Sequence, residues 1–273
     1  MSETQTNHGD DLTVIQDEPQ FLDVGEGAAR RRIAFRRRAP ARDDLPGVVW
    51  LAGFGSDMVS TKASALDAYC AERGQALLRF DYSGHGASEG KFEDGTVSLW
   101  LEDALTAIRT ETAGRLALAG SSMGGYLALL VARALAEAGE ASRLAGMVLV
   151  APAIDFTEAL MWARASEAER RELLEKGVWR RPSEYSHSGY RITRALIEDG
   201  RRHLLFGATI RSYCPTRVLQ GMADLDVPYR HALTLVEHMA VDPVTLTLIK
   251  DGDHRLSRPQ DLALILEAVD GFA

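Results

Sequence analysis

Three residue types that together activate an alcohol occur along this chain in a workable order. Gly120-Ser121-Ser122-Met123-Gly124 fits the pattern GxSxG, acids follow at Asp224 and Asp226, and His254 stands near the C-terminus. A serine hydroxyl is a poor nucleophile until a base removes its proton, and that base must itself be oriented by a carboxylate. The implied chemistry is attack on an acyl carbonyl, with Ser122 acylated and then freed by water. His254 is the expected base and Asp224 the expected acid, because Gly221 stands three residues before it. Asp226 is the rival acid, with an alternative role as cap of a helix beginning near Pro228. Asp251 and Asp253 flank the histidine and suffice as turn formers.

Attack builds negative charge on the carbonyl oxygen, so two fixed N–H donors are needed there. One is expected from Met123, directly after the serine. The other comes from the loop Leu51-Ala52-Gly53-Phe54-Gly55-Ser56-Asp57, where Phe54 is the expected donor and Gly55 the alternative. His85, in Asp81-Tyr82-Ser83-Gly84-His85-Gly86, is close enough to the mouth to meet substrate, or else packs locally. His187, His203, His231 and His238 read as structural or solvated.

These residues work only if strands and loops bring them to one edge. Arg115 to Ala119 is an apolar run of strand length, and Gly125 to Glu137 repeats its apolar residues at helical spacing, so Ser122 falls on a strand-to-helix turn. From Gly47 onward apolar strands alternate with helices: Val48–Ala52, about 60–73, Ala76–Phe80, about 97–111, the elbow pair, Met147–Ala151, Thr216–Leu219, Thr245–Ile249 and about 259–269. The Asp224 and His254 loops each follow one of these strands. Phe21–Val24 and Arg31–Arg38 read as an antiparallel hairpin ahead of them. This predicts an α/β fold with a mostly parallel eight-stranded sheet flanked by helices. Between about 153 and 213 the alternation stops, and the stretch reads as a helical cap inserted in a single domain spanning 1–273. Trp162, Trp179, Tyr185 and Tyr190 are its candidate lining residues, or serve to hold it on the core.

Composition narrows the function further. The 273 residues are 46% hydrophobic and 26% charged with a net charge of −8, which argues against nucleic acid as the main partner. The run Arg30, Arg31, Arg32, Arg36, Arg37 and Arg38 reads as a solvated edge strand with Ile33 and Phe35 inward. Cys70 and Cys214 match no metal or redox spacing and read as two buried thiols. No apolar stretch approaches about 18 residues and no signal segment opens the chain, which places the protein in the cytoplasm and off the membrane. No metal or cofactor is implied.

The motifs resemble those of the α/β-hydrolase superfamily over nearly the whole length. Within it the chain is similar to a branch of bacterial and mitochondrial carboxylesterases and thioesterases that includes palmitoyl-protein thioesterases. The stretches that carry the likeness are Gly53–Met58, Arg79–Gly86, Gly120–Gly125, Ala151–Thr157 and Gly252–Ser257. Many superfamily members have His-Gly where this chain has Ala52-Gly53, a change that spares the backbone donor. The resemblance implies Ser122, Asp224 and His254 as a triad acting on a small-molecule or acyl-protein ester or thioester. Alternatives on the same scaffold are a carbon–carbon bond hydrolase, a peptidase, or a non-catalytic ligand-binding protein.

Overall fold

The structure, a computed structural model, describes residues 18–183 and 186–272. Its spine is an eight-stranded sheet in the order β1-β2-β4-β3-β5-β6-β9-β10. The strands are β1 (Gln20–Val24), β2 (Arg31–Arg38), β3 (Gly47–Leu51), β4 (Leu77–Phe80), β5 (Leu116–Ser121), β6 (Leu144–Val150), β9 (Thr216–Gly221) and β10 (Val244–Ile249). All neighbours from β4 to β10 run parallel, while β1, β2 and β4 pair antiparallel. Alternate residues of the central strands feed two separate cores. Val49, Leu51, Leu118 and Leu149 join the larger, whereas Val48, Trp50, Ala119 and Val148 join the smaller. A strand buried on both faces reads as a continuous apolar run, which is why these were legible.

Helices close both faces: α1 (Thr61–Arg73), α2 (Val97–Glu111), α3 (Met123–Glu137), α6 (Tyr229–His238) and α7 (Pro259–Asp270). α3 buries nearly its whole surface, including Leu127, Leu130, Val131 and Leu135. It packs behind the sheet directly under the elbow. Thr96 caps α2 by accepting the Leu99 N–H, and α1 stops at Gly74, which adopts φ 64°.

β2 departs from the expected solvated edge strand. It lies second from the edge, covered by β1. Ile33 and Phe35 do face inward, but Arg31 also turns in, its guanidinium donating to Asp103 Oδ1 at 2.7 and 2.9 Å and its Nε to Ser83 Oγ at 2.8 Å. A run of like charges conceals one member whose partner lies 72 positions away.

The insertion is mixed rather than purely helical. A π-helical segment (Phe156–Trp162), α4 (Glu167–Lys176) and α5 (Arg194–Gly200) are joined by a hairpin of β7 (Val178–Ser183) and β8 (Ser186–Thr193). Trp179 pairs with Ile192 and Arg181 with Tyr190, so the period-two pattern is present but written in arginines and aromatics. The insertion is tied down by carboxylates. Asp155 accepts the N–H groups of Leu205 and Phe206, and Asp199 accepts both the N–H and the hydroxyl of Ser98 at the start of α2.

Candidate active site

Ser122 stands between β5 and α3, capping the helix start with φ 55° and ψ −118°. A side-chain-bearing residue reaches that region only under strain, and the surrounding backbone holds it there. Its N–H donates to the Val150 carbonyl at 2.8 Å, and its own carbonyl accepts from Ala153 at 3.1 Å. The flanking glycines are required by contact: a Cβ on Gly120 would collide with the Gly124 carbonyl, and one on Gly124 with that of Leu51.

The imidazole of His254 bridges the other two residues. Its Nε2 lies 3.1 Å from Ser122 Oγ and its Nδ1 2.8 Å from Asp224 Oδ2. Asp224 is buried, and its second oxygen accepts the N–H groups of Asp226 and Val227 at 2.9 and 2.8 Å. With Oδ1 so occupied, Oδ2 is turned toward the histidine. Gln220 adds a further restraint, its Nε2 donating to Asp224 Oδ2 at 3.1 Å and to the Val227 carbonyl at 3.0 Å. Sequence reasoning missed Gln220; the available signal was an amide side chain in the otherwise apolar end of a central strand.

Asp226 has neither of the roles weighed for it. α6 begins after Pro228 with no side-chain cap, and the carboxylate on His254 Nδ1 is that of Asp224. Asp226 lines the cavity instead. Asp224, Asp226 and His254 hold ligand-type atoms within 4.8 Å of one another, and two of the three, Asp224 and His254, are joined by the hydrogen bond described above.

His85 is buried and acts within the protein. The Gly55 N–H donates to its Nε2 at 3.1 Å while its Nδ1 lies 3.2 Å from the Ser83 carbonyl. Burial pushes its pKa down to about 4, so the ring is neutral near pH 7. This contact occupies the Gly55 donor. No described residue accepts from the N–H of Phe54 or Met123, and both residues line the cavity beside Ser122. Asp81 fixes the same loop from behind, accepting from Met58 at 2.7 Å and from Ala87 at 2.8 Å.

The cavity holds about 560 Å³ and has an apolar wall of Phe54, Phe156, Leu160 and Met161. Of the aromatics expected to line it, Tyr190 does so. Trp179 is buried, Trp162 stacks under Arg170 and Arg201, and Tyr185 lies outside the described residues. Three cations that line the cavity were not anticipated: Lys62, Arg181 and Arg255. Lys62 lines the cavity and donates to the Arg255 carbonyl just after His254, and burial lowers its pKa to about 8. Arg181 reaches in from β7, its pKa also lowered by burial.

A mostly parallel sheet whose C-terminal edge carries a serine on a strained strand-to-helix turn, with a histidine and an acid from later loops, defines an enzyme class: the α/β-fold hydrolases. The chain belongs to the hydrolase family described as serine aminopeptidase, S33, which it matches over residues 47–195, and in particular to the family of the palmitoyl-protein thioesterase ABHD10. It is 34% identical to the mitochondrial palmitoyl-protein thioesterase ABHD10 of Mus musculus over 239 residues, 87% of this chain and 77% of that one. Among solved structures it is similar to a putative hydrolase from Agrobacterium vitis S4, with 48% identity, a TM-score of 0.89, and 93% and 98% of the two chains covered. Mouse alpha/beta hydrolase domain-containing protein 10 follows at 30% identity and a TM-score of 0.80, covering 92% and 97%. Among the described residues no helix is long and apolar enough to cross a membrane.

Proposed function

We propose that this hydrolase cleaves carboxylic esters or acyl thioesters through an acyl-enzyme on Ser122. The observation that carries the reading is the single imidazole within hydrogen-bond reach of both Ser122 Oγ and Asp224 Oδ2. In the proposed cycle His254 Nε2 takes the serine proton as Oγ attacks the acyl carbon. Asp224 stabilises the imidazolium that results. The oxyanion is held by the N–H groups of Phe54 and Met123, donors worth on the order of 3 kcal/mol each. His254 then passes its proton to the departing alkoxide or thiolate, and water, activated by the same ring, releases the acid.

The acyl portion fits the apolar wall of Phe156, Leu160 and Met161. That wall, together with the thioesterase name of the relatives, supports a hydrophobic acyl group on a small-molecule or protein carrier. We place the protein in the cytoplasm, a reading supported by its two free, buried cysteines, Cys70 and Cys214. The mitochondrial relatives supply the rival location, which imaging of a tagged chain decides.

The test is turnover of a matched series of oxygen esters, thioesters and amides of one acyl group, from short chains to palmitoyl, with Ser122→Ala as blank. Ester or thioester turnover that falls at least about 10³-fold in the variant supports the reading. Amide turnover exceeding both would replace it with a peptidase. A fluorophosphonate probe that fails to label Ser122 would sink it altogether.

A further inference from the structure

Arg180 on β7 and Arg191 on β8 are direct cross-strand partners. Like charges set opposite each other on a ladder repel and destabilise it. Both arginines line a second cavity of about 340 Å³, together with Gly55, Ser56, Asp57 and Tyr190. Those four residues also line the cavity that holds Ser122, so the smaller space adjoins the larger as an annex.

The charge of the hairpin stands against that of the whole chain. The protein carries a net charge of −8, yet the described residues of β7 and β8 include Arg180, Arg181 and Arg191 and no acid; Glu184 lies outside the described residues. Two acids line the annex. Glu93 lies 3.6 Å from Arg191, both side chains well exposed, an ion pair of little strength. Asp57 accepts the Val59 N–H at 3.0 Å. Guanidinium groups held side by side match the spread oxygens of phosphate and carboxylate.

We propose that the annex under Arg180 and Arg191 binds an anionic group, a phosphate or a carboxylate, carried on the leaving-group side of the substrate. The apolar wall beside Ser122 takes the acyl chain, and the polar annex takes the other end. The proposal rests on the acyl-hydrolase reading for its meaning, though binding can be measured without turnover.

The experiment is calorimetric titration with three thioethers that cannot be hydrolysed: S-ethyl coenzyme A for phosphate, S-ethyl-3-mercaptopropionate for carboxylate, and S-ethyl-N-acetylcysteamine as the neutral control. The proteins are the native chain, Arg180→Gln/Arg191→Gln and Glu93→Gln. The substituted side chains are exposed, and a melting curve confirms that the variants fold. We expect at least one anionic thioether to bind about tenfold or more tightly than the neutral one, that ratio to fall toward one in the double variant, and to rise in Glu93→Gln. Whichever anion binds names its source. Equal binding of all three, or an anion preference untouched by the double variant, overturns the proposal. Absence of ester and thioester turnover by the native chain, with the binding pattern intact, would count against the acyl-hydrolase reading alone.

Discussion

The backbone N–H of Gly55 is held by Nε2 of His85 at 3.1 Å. That bond occupies the Gly55 N–H, whereas the N–H of the neighbouring Phe54, which lines the cavity with Ser122, has no acceptor among the described residues. Phe54 is fixed in turn by its ring, which packs edge-on against Phe92, Tyr190 and Trp100 at 4.7 to 5.8 Å. A histidine that could have been taken for a catalytic group is instead a neutral acceptor locked by burial.

The first prediction follows from that neutrality. The folded pKa of His85 lies at about 4 against the ordinary histidine value of 6.5, so between these pH values the unfolded chain binds more protons. Stability therefore rises with pH across this window and is lost as pH falls through it, by at most on the order of 3 kcal/mol. In His85→Gln, whose amide oxygen can still accept from Gly55, the stability curve should flatten between pH 6.5 and 4. His85→Leu should retain the fold yet lose roughly tenfold or more in kcat with little change in KM, because the loop carrying Phe54 is released. Denaturant melts across pH and steady-state kinetics check the two halves; a buried histidine that merely filled space would show the first effect and leave kcat unchanged in His85→Leu.

Two carboxylates two residues apart give a second prediction. Asp224 Oδ2 meets His254 Nδ1, whereas Asp226 contributes cavity lining. Asp224→Asn should reduce kcat by about 10⁴-fold through loss of the correct tautomer. Asp226→Asn should keep kcat within about tenfold of native. Gln220→Met, which removes a donor to Asp224 Oδ2 and leaves the Val227 carbonyl short of a partner, should fall between them and cost about 1–3 kcal/mol of stability. Comparable losses in Asp224→Asn and Asp226→Asn would contradict the assignment of Asp224 as the acid.

Much of this arrangement could be read from the chain because its signals are local. Gly120 and Gly124 are needed where strand and helix cross, and the loops of Asp224 and His254 each follow a short strand rich in Val, Leu and Thr. What escaped was non-local or written in unusual letters. Nothing near Arg31 announces that Asp103 awaits it, nor anything near Gly55 that His85 would take its N–H. The hairpin of β7 and β8 keeps a period of two, but Arg180, Arg181 and Arg191 occupy positions where apolar residues would have declared a strand. Apolar patterning reveals the core; polar partners chosen by topology remain hidden until the fold is known.

That hidden pair carries a third prediction. The Asp103 side chain is fully buried, receives Arg31 through Oδ1, and accepts the Ser83 N–H at Oδ2. Removing Asp103 leaves Arg31 with the half-exposed carboxylate of Glu102 at 2.8 Å as its remaining ionic partner, so the loss should reach at most the about 3–5 kcal/mol of a broken buried pair. Asp103→Ala should show that loss in chemical denaturation. Because Ser83 begins the loop that carries His85, it should also weaken turnover. Arg31→Met together with Asp103→Leu should recover much of the stability, since no buried charge is then left unpaired and Glu102, which loses its partner, is half-exposed to water. Failure of the double variant to improve on Asp103→Ala would mean that the pair holds geometry beyond its own electrostatics.

The last prediction concerns the serine itself. Ser122 sits at φ 55° and ψ −118°, a backbone state that costs a residue with a Cβ about 1–3 kcal/mol and glycine much less. The enclosing bonds to Val150 and Ala153 are made by the backbone, so a substitution here leaves them in place. Ser122→Gly should therefore be more stable than the native chain by about 1 kcal/mol, a rise in Tm of roughly 2–4 °C. Ser122→Ala keeps the Cβ and should gain little. Both should be inactive, since neither retains the hydroxyl facing His254. Thermal melts of the three proteins measured side by side separate the effects. If Ser122→Gly melts no higher than Ser122→Ala, the turn is not strained in solution and the serine is held there without cost to folding.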